Sequence, residues 1–301
     1  MGIGPVGINE HLFHKLLDEA ISFEVSGKWL HAAQIYERML AEMPDAHYLR
    51  YNLAKVYAKL GNIDAAENTV INAIKEGADE IHAYEELCTI LLQYDEYDRV
   101  IGILSKLAIR LHPSPGVHFL MALAYSGKGD YQNAHRHLLR TIEMDPKYNR
   151  AHLVAGDVLI KLEKFEEAVK HLRVAVTRDP NDWTPLHLLA LAYFKLSQNS
   201  EALEAAERAL DIAPDQAELM RLTADILITM KKLNKAELLL RKAVKRDKTS
   251  SEIQTSLAFL ALARNDVSTA IKYFNNALDL DPYNARALEG LQLLQPSKEK
   301  Q

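Results

Sequence analysis

The chain contains one cysteine, Cys88, so it has no intramolecular disulfide and no cysteine-rich zinc site. Glycine (12) and proline (10) are sparse among 301 residues, too few for a collagen-like or low-complexity chain. No run approaches the ~18 consecutive apolar residues of a membrane span, so no direct membrane insertion is expected. Basic residues are outnumbered, 36 Lys and Arg against 41 Asp and Glu, for a net charge of −5. Such a chain lacks the electrostatic footprint of a general nucleic-acid binder, and no nucleic-acid partner is expected. Walker A, H-E-x-x-H, G-x-S-x-G and C-x-x-C motifs do not occur. Met1 to His14 carries neither a basic n-region nor an apolar h-region, so no secretory signal is read and a cytoplasmic location is the default expectation.

What is present is 48% apolar and 26% charged residues, a globular composition. Length alone suggests two domains of about 150 residues, but an internal repeat points elsewhere. Pro146, Pro180 and Pro214 stand 34 residues apart, with Pro282 and Pro44 in the same phase. Eight consecutive units then cover 13–46, 47–80, 81–114, 115–148, 149–182, 183–216, 217–250 and 251–284. Position 8 of the units reads Ala20, Ala54, Cys88, Ala122, Gly156, Ala190, Ala224 and Ala258. Position 20 reads Ala32, Ala66, Val100, Ala134, Ala168, Ala202, Ala236 and Ala270. Small side chains at both places let two helices approach closely, because interiors pack to crystal-like density. Larger residues at positions 11 and 24, such as Tyr57, Leu91, Tyr36 and Phe274, fill the remaining space.

Apolar spacing predicts helices over positions 2–14 and 18–31 of each unit, with no strand signal. Gly27, Gly61 and Gly129 at position 15 suit a left-handed turn after the first helix. Proline at position 32 stops the second helix. Asp45, Asp182, Asp215 and Asn284 stand where an N-cap is needed. The stiff His112–Gly116 junction is expected to delay the helix of unit four.

Small residues at 8 and 20, large ones at 11 and 24, and proline at 32 resemble the tetratricopeptide repeat family, over about nine-tenths of the chain. The family's Trp at position 4 is missing throughout, and units two, three and seven lack the proline. The resemblance implies an all-α fold: a right-handed α-solenoid superhelix of eight 34-residue helix-turn-helix repeats, about seventeen helices in all. Residues 1–12 form an N-terminal arm and the start of the first helix, 285–295 a capping helix with Leu288, Leu291 and Leu294, and 296–301 a tail.

The resemblance also implies that positions 2, 5, 6, 9, 12 and 13 of each first helix line a concave groove. Units four to six are the most apolar there: Phe119, Leu120, Leu123, Leu153, Val154, Ile160, Leu188, Leu191 and Phe194. Leu222, Ile228, Phe259 and Leu262 continue the stripe in units seven and eight, mixed with Arg221, Asp225, Thr255 and Ser256. Two readings stay open: these residues bind a partner, or they pack between neighbouring first helices. The family's carboxylate clamp for chaperone C-termini is absent, since no unit has Lys at position 5 and only Asn52 matches the required asparagines.

Other motifs read as packing or surface. Gly2 to Gly7 spells G-x-G-x-x-G without the strand a dinucleotide site requires. Among twelve histidines, His118 and His152 share position 4, and His137 and His171 share position 23. Same-position residues in successive units are expected about 10 Å apart, as packed helices are, too far for one zinc with ligands at about 2 Å. Cys88 reads as a buried alanine substitute. No acid, base and nucleophile converge, so the expectation is a non-catalytic chain without cofactor or metal. Its function is then binding of an apolar or amphipathic protein segment, peptide or helix, in the groove. Alternatives are a self-assembling scaffold, a homo-oligomer in which the apolar end helix inserts into a groove, and a regulatory subunit that recruits substrates to a separate enzyme.

Overall fold

The computed structural model describes residues 10–110 and 114–294, and every regular element among them is an α-helix. The helices gather into two compact units that divide between Tyr148 and Asn149, a boundary of the 34-residue phase. Unit 1 holds α1 (Glu10–Val25), α2 (Trp29–Glu42), α3 (His47–Lys59), α4 (Ile63–Lys75), α5 (Glu80–Leu92), α6 (Tyr97–Arg110), α7 (Pro115–Gly127) and α8 (Tyr131–Met144). Unit 2 holds α9 (Asn149–Lys161), α10 (Phe165–Arg178), α11 (Trp183–Lys195), α12 (Asn199–Ile212), α13 (Ala217–Thr229), α14 (Leu233–Arg246), α15 (Ser251–Ala263), α16 (Val267–Leu280) and α17 (Ala285–Leu294). The first helices of unit 2 start 34 residues apart throughout. The G-x-G-x-x-G segment, His112, Pro113, Gln295 and the 296–301 tail lie outside the described residues.

Each hairpin closes on the small residues. Ala20, Ala54, Cys88 and Ala122 are fully buried, as are Ala32, Ala66, Val100 and Ala134 opposite them. Unit 2 repeats this with Ala190, Ala224 and Ala258 against Ala202, Ala236 and Ala270. Gly156 is the exception that explains itself: a Cβ there would overlap the Leu172 side chain, which occupies that space instead. The position-24 residues Tyr36, Leu104, Leu138, Leu172, Leu240 and Phe274 are fully buried beside these contacts. Burying each removes a large apolar side chain from water, worth about 1.5–3 kcal/mol.

The turn inside each hairpin is left-handed at position 15 without exception. Gly27, Gly61 and Gly129 have φ of +70°, +77° and +78°, and Asp95, Glu163, Ser197, Lys231 and Asn265 have φ of +59° to +62°. The geometry of the hairpin therefore overrides residue preference at five places, since a side chain there costs about 1 kcal/mol.

Capping follows the expectation in part. Asp182 accepts from the Thr184 N–H at 2.8 Å and Asn284 from the Ala287 N–H at 2.9 Å. Asp45 and Asp215 stand one residue too early: the cap positions are Ala46 and Gln216, and neither offers a side-chain bond. Asp215 pairs with Arg246 instead. The expected delay of the unit-four helix does not occur. Ser114 accepts from the Val117 N–H, and Pro115, whose missing N–H is no loss in a first turn, opens α7. At the other end, α17 docks through Ala287 and Gly290, both buried, with Gly290 against the Phe274 ring. Leu288 stays 41% exposed, and Leu291 and Leu294 are half-buried.

Candidate functional site

The stripe divides between the two openings left by the sequence. In unit 1, Phe119 and Leu120 are buried and form no open surface. Phe119 packs its ring 5.0 Å from that of Tyr148, and Leu120 joins the core around Leu87 and Leu91. Leu123 on the same helix is half-buried. In unit 2, Leu153, Val154 and Ile160 on α9, Leu188, Leu191 and Phe194 on α11, Ile228 on α13, and Phe259 and Leu262 on α15 are all half-buried. All of them but Val154 pack partly against the buried cores of unit 2. Neither full packing nor full exposure describes them.

The polar members of the stripe are more deeply buried than these apolar ones. Arg221, Asp225, Thr255 and Ser256 are buried, not solvated. Arg221 holds Glu218 with two bonds, at 2.6 and 3.2 Å, and donates to Asp225 Oδ2 at 2.9 Å. Arg286 of α17 reaches the same Asp225 oxygen at 3.1 Å and Glu252 at 3.1 Å, and lies over the Phe259 ring. Asn284 donates to Ser251 and Glu252. Burial alone would raise the Glu218 carboxyl; the hydrogen bond and charge of Arg221 outweigh it and hold the group below its ordinary value. Burial holds His187, 4.0 Å from Glu218, below its ordinary value. Beside this network opens a cleft of about 170 Å³ lined by Phe194, Asp225, Ile228, Thr229, Phe259 and Arg286. A wider cleft of about 760 Å³ lies away from the stripe, between α10 and α12, with Arg173, Arg208, Glu201 and Glu204 on its walls.

The histidines meet in a way the repeat phase alone does not suggest. His118 faces His137 across the α7–α8 hairpin, Nδ1 to Nδ1 at 3.1 Å, and His152 faces His171 across α9–α10 at the same distance. Positions 4 and 23 oppose each other within one unit, as positions 8 and 20 do. That correspondence was available in the sequence, because both members are histidine in the same two units. Ring centres lie 5.4 and 5.3 Å apart. The 3.1 Å spacing allows an N–H···N bond when the two rings take opposite tautomers. Among the described residues, no three His, Cys, Asp or Glu side chains gather as a metal would require. Cys88 is fully buried, and burial, with Glu67 and Glu85 nearby, pushes its thiol well above the ordinary range.

Comparison with known families fits this architecture. The tetratricopeptide repeat domain of cytochrome c-type biogenesis protein H matches 162–287, and two tetratricopeptide repeat models match 119–182 and 26–91. The chain belongs to the tetratricopeptide repeat family. Similar tetratricopeptide-type relatives include BBSome complex member BBS4 of Bos taurus, 24% identical over 88% of this chain and 51% of the relative. Another is Hsp70-Hsp90 organizing protein 1 of Glycine max, 24% identical over 69% of this chain and 37% of the relative. Anaphase-promoting complex subunit 7 of Arabidopsis thaliana is 20% identical over 88% of this chain and 53% of the relative. The chain thus spans about half or less of the length of these relatives. Among solved structures, the APC/C hetero-tetramer Cut9-Hcn1 aligns with a TM-score of 0.63 at 14% identity, over 96% of this chain and 56% of that one. At that identity the likeness shows the fold alone. Among the described residues no helix is long and apolar enough to cross a membrane.

Proposed function

We propose that the chain is a non-catalytic protein-binding module whose unit 2 stripe takes an apolar or amphipathic segment of a partner protein. The observation that carries this reading is that nine apolar side chains along α9, α11, α13 and α15 are half-buried, not sealed in the core. Apolar side chains left partly open to solvent supply the surface that a partner segment can cover. The likeness to a BBSome complex member, an Hsp70-Hsp90 organizing protein and an anaphase-promoting complex subunit supports a role in assemblies. The reading takes the chain as eight 34-residue units and a capping helix, supported by the helix starts.

The test is selection from a displayed peptide library on the full chain, repeated with Leu153→Glu plus Leu191→Glu. Both residues lie on the stripe outside the 170 Å³ cleft. Wild type should enrich peptides with apolar residues at helical spacing, and the variant should lose them with its helicity intact. Equal enrichment by both proteins would place the binding surface elsewhere.

A second reading, self-assembly, draws on α17, where Leu288 and Leu293 are 41% and 79% exposed beside Tyr283 at 89%. Sizing across a concentration series decides it: a monomer throughout removes self-assembly.

A further inference from the structure

The wider cleft, away from the stripe, joins an apolar floor to four free charges. Position 23 of every other unit carries a larger side chain, such as Ile103, Leu239 or Tyr273, each half-buried on its second helix. Unit six has Ala205 there, and beside it the gap between α10 and α12 stands open at about 760 Å³. Leu189 and Tyr193 of α11, with Val169 and Val176 of α10, supply its apolar lining. Arg173 on the α10 wall and Arg208 on the α12 wall are exposed and stand at neighbouring repeat positions, 25 and 26. Glu201 and Glu204, also exposed, line the α12 wall nearer the start of that helix. Among the described residues none of these four has an ion-pair partner, although Glu204 and Arg208 are four residues apart on one helix. The two carboxylates precede Arg208 by seven and four residues, about 10 and 6 Å along α12.

We propose that this cleft is a second docking surface, for an extended stretch of a partner protein in which one apolar residue stands between a basic and an acidic one. The inference goes beyond the reading of the stripe, since none of the nine stripe residues lines this cleft. Charge complementarity selects the occupant. An all-acidic stretch would meet Arg173 and Arg208 but also face Glu201 and Glu204, and an all-basic one reverses the conflict. A wholly apolar stretch would cover the floor while taking water from four charges and giving them no partner, which is costly. A dipolar stretch pairs both regions of the cleft, and its carboxylate forms charge-assisted bonds with the guanidiniums. The spacing agrees. Residues i and i+2 of an extended chain point to one side about 6.6 Å apart, and residue i+1 points to the other. Charges at i and i+2 therefore match the separation of the glutamates from Arg208, while the side chain at i+1 covers Leu189 and Tyr193 beside Ala205.

The experiment uses the full chain with labelled valine methyls and pentapeptides blocked at both ends. The dipolar probes are Gly-Lys-Leu-Glu-Gly and its reverse, Gly-Glu-Leu-Lys-Gly. The controls are Gly-Lys-Leu-Lys-Gly, Gly-Glu-Leu-Glu-Gly and Gly-Lys-Gly-Glu-Gly, which lacks the apolar residue. At least one dipolar order should shift Val169 and Val176 by NMR and bind about fivefold more tightly than the controls, the scale of one exposed ion pair. Ala205→Leu, which gives unit six the bulk that Leu239 gives unit seven, should abolish the shifts with helicity kept. Arg173→Glu plus Arg208→Glu, both at exposed positions, should turn the preference to the all-basic peptide. No shift at either valine, equal affinity for all the peptides, undiminished binding by a folded Ala205→Leu chain, or a charge-reversed chain that keeps the dipolar preference would each overturn the assignment. None of these variants touches Leu153 or Leu191, so failure of this surface leaves the stripe reading standing, and stripe-independent selection leaves this one.

Discussion

Acid should destabilise unit 1 through the His118–His137 pair. The two rings meet at 3.1 Å and can share one proton, but two protons would set like charges head to head. Burial first, then the charges of His118 and Arg136, push His137 down to about 4; burial and Arg140 hold His118 below its ordinary value. A histidine whose folded value is depressed stays neutral in the native hairpin while the unfolded chain takes up the proton. The stability it contributes is present at pH 7 and is lost as pH falls from about 6.5 toward about 4. For His137 alone the full shift corresponds to about 2 kcal/mol lost by pH 5. The ring is only half-buried, so solvent screening brings the expected loss to about 1 kcal/mol. Urea unfolding at pH 7 and pH 5 measures it, with His137→Asn as the reference: asparagine keeps a donor for His118 and does not titrate. Wild type should lose about 1 kcal/mol more than the variant over that interval. Parallel losses, or an imidazole NMR midpoint for His137 at 6 or above, would refute the argument.

Two further expectations come from the same geometry. Asp225→Ala strands two guanidiniums, one of them buried, and should cost about 3–5 kcal/mol by urea denaturation, whereas the joint change Asp225→Leu plus Arg221→Met should recover much of it; a cost under about 1 kcal/mol for the single change would mean the network contributes nothing. At position 15, Gly129→Ala should cost about 1 kcal/mol, because open space surrounds the residue and only the left-handed backbone resists, while Glu163→Gly should gain up to about 1 kcal/mol. Thermal midpoints that move in the same direction for both would contradict the turn argument.

The hairpin architecture was readable because it rests on residue size in a fixed phase. Ala54 and Ala66, or Ala224 and Ala236, are small for one reason, the approach of two backbones, and that reason leaves a mark at every period. What escaped the sequence depends on partners outside a single unit or on a one-residue offset. Asp225 and Arg286 are 61 residues apart, at different positions of units that are not neighbours, so nothing in the phase pairs them. Read alone, each is a charge on a polar face. Asp225 is buried, and Arg286, still partly exposed, reaches it from α17 where it lies over Phe259. Asp45 and Asp215 show the offset: the residue type is right for a cap, but the helix begins one residue further on. For Phe119 the sequence left packing and exposure both open; it is buried, and part of its cover is Tyr148, an aromatic in the connection after α8 that no helical periodicity brings near it.

The bond from Arg286 to Asp225 changes how the last helices of unit 2 come apart. In a stack where each hairpin touches only its neighbours, the terminal element can peel away while the rest stands, and opening proceeds one hairpin at a time. Here, releasing α17 also uncovers a buried carboxylate on α13 and frees Glu252 on α15. Peeling is therefore penalised two hairpins deep, and α13 through α17 should exchange their amide protons as one cooperative block, not as a gradient that softens toward Leu294.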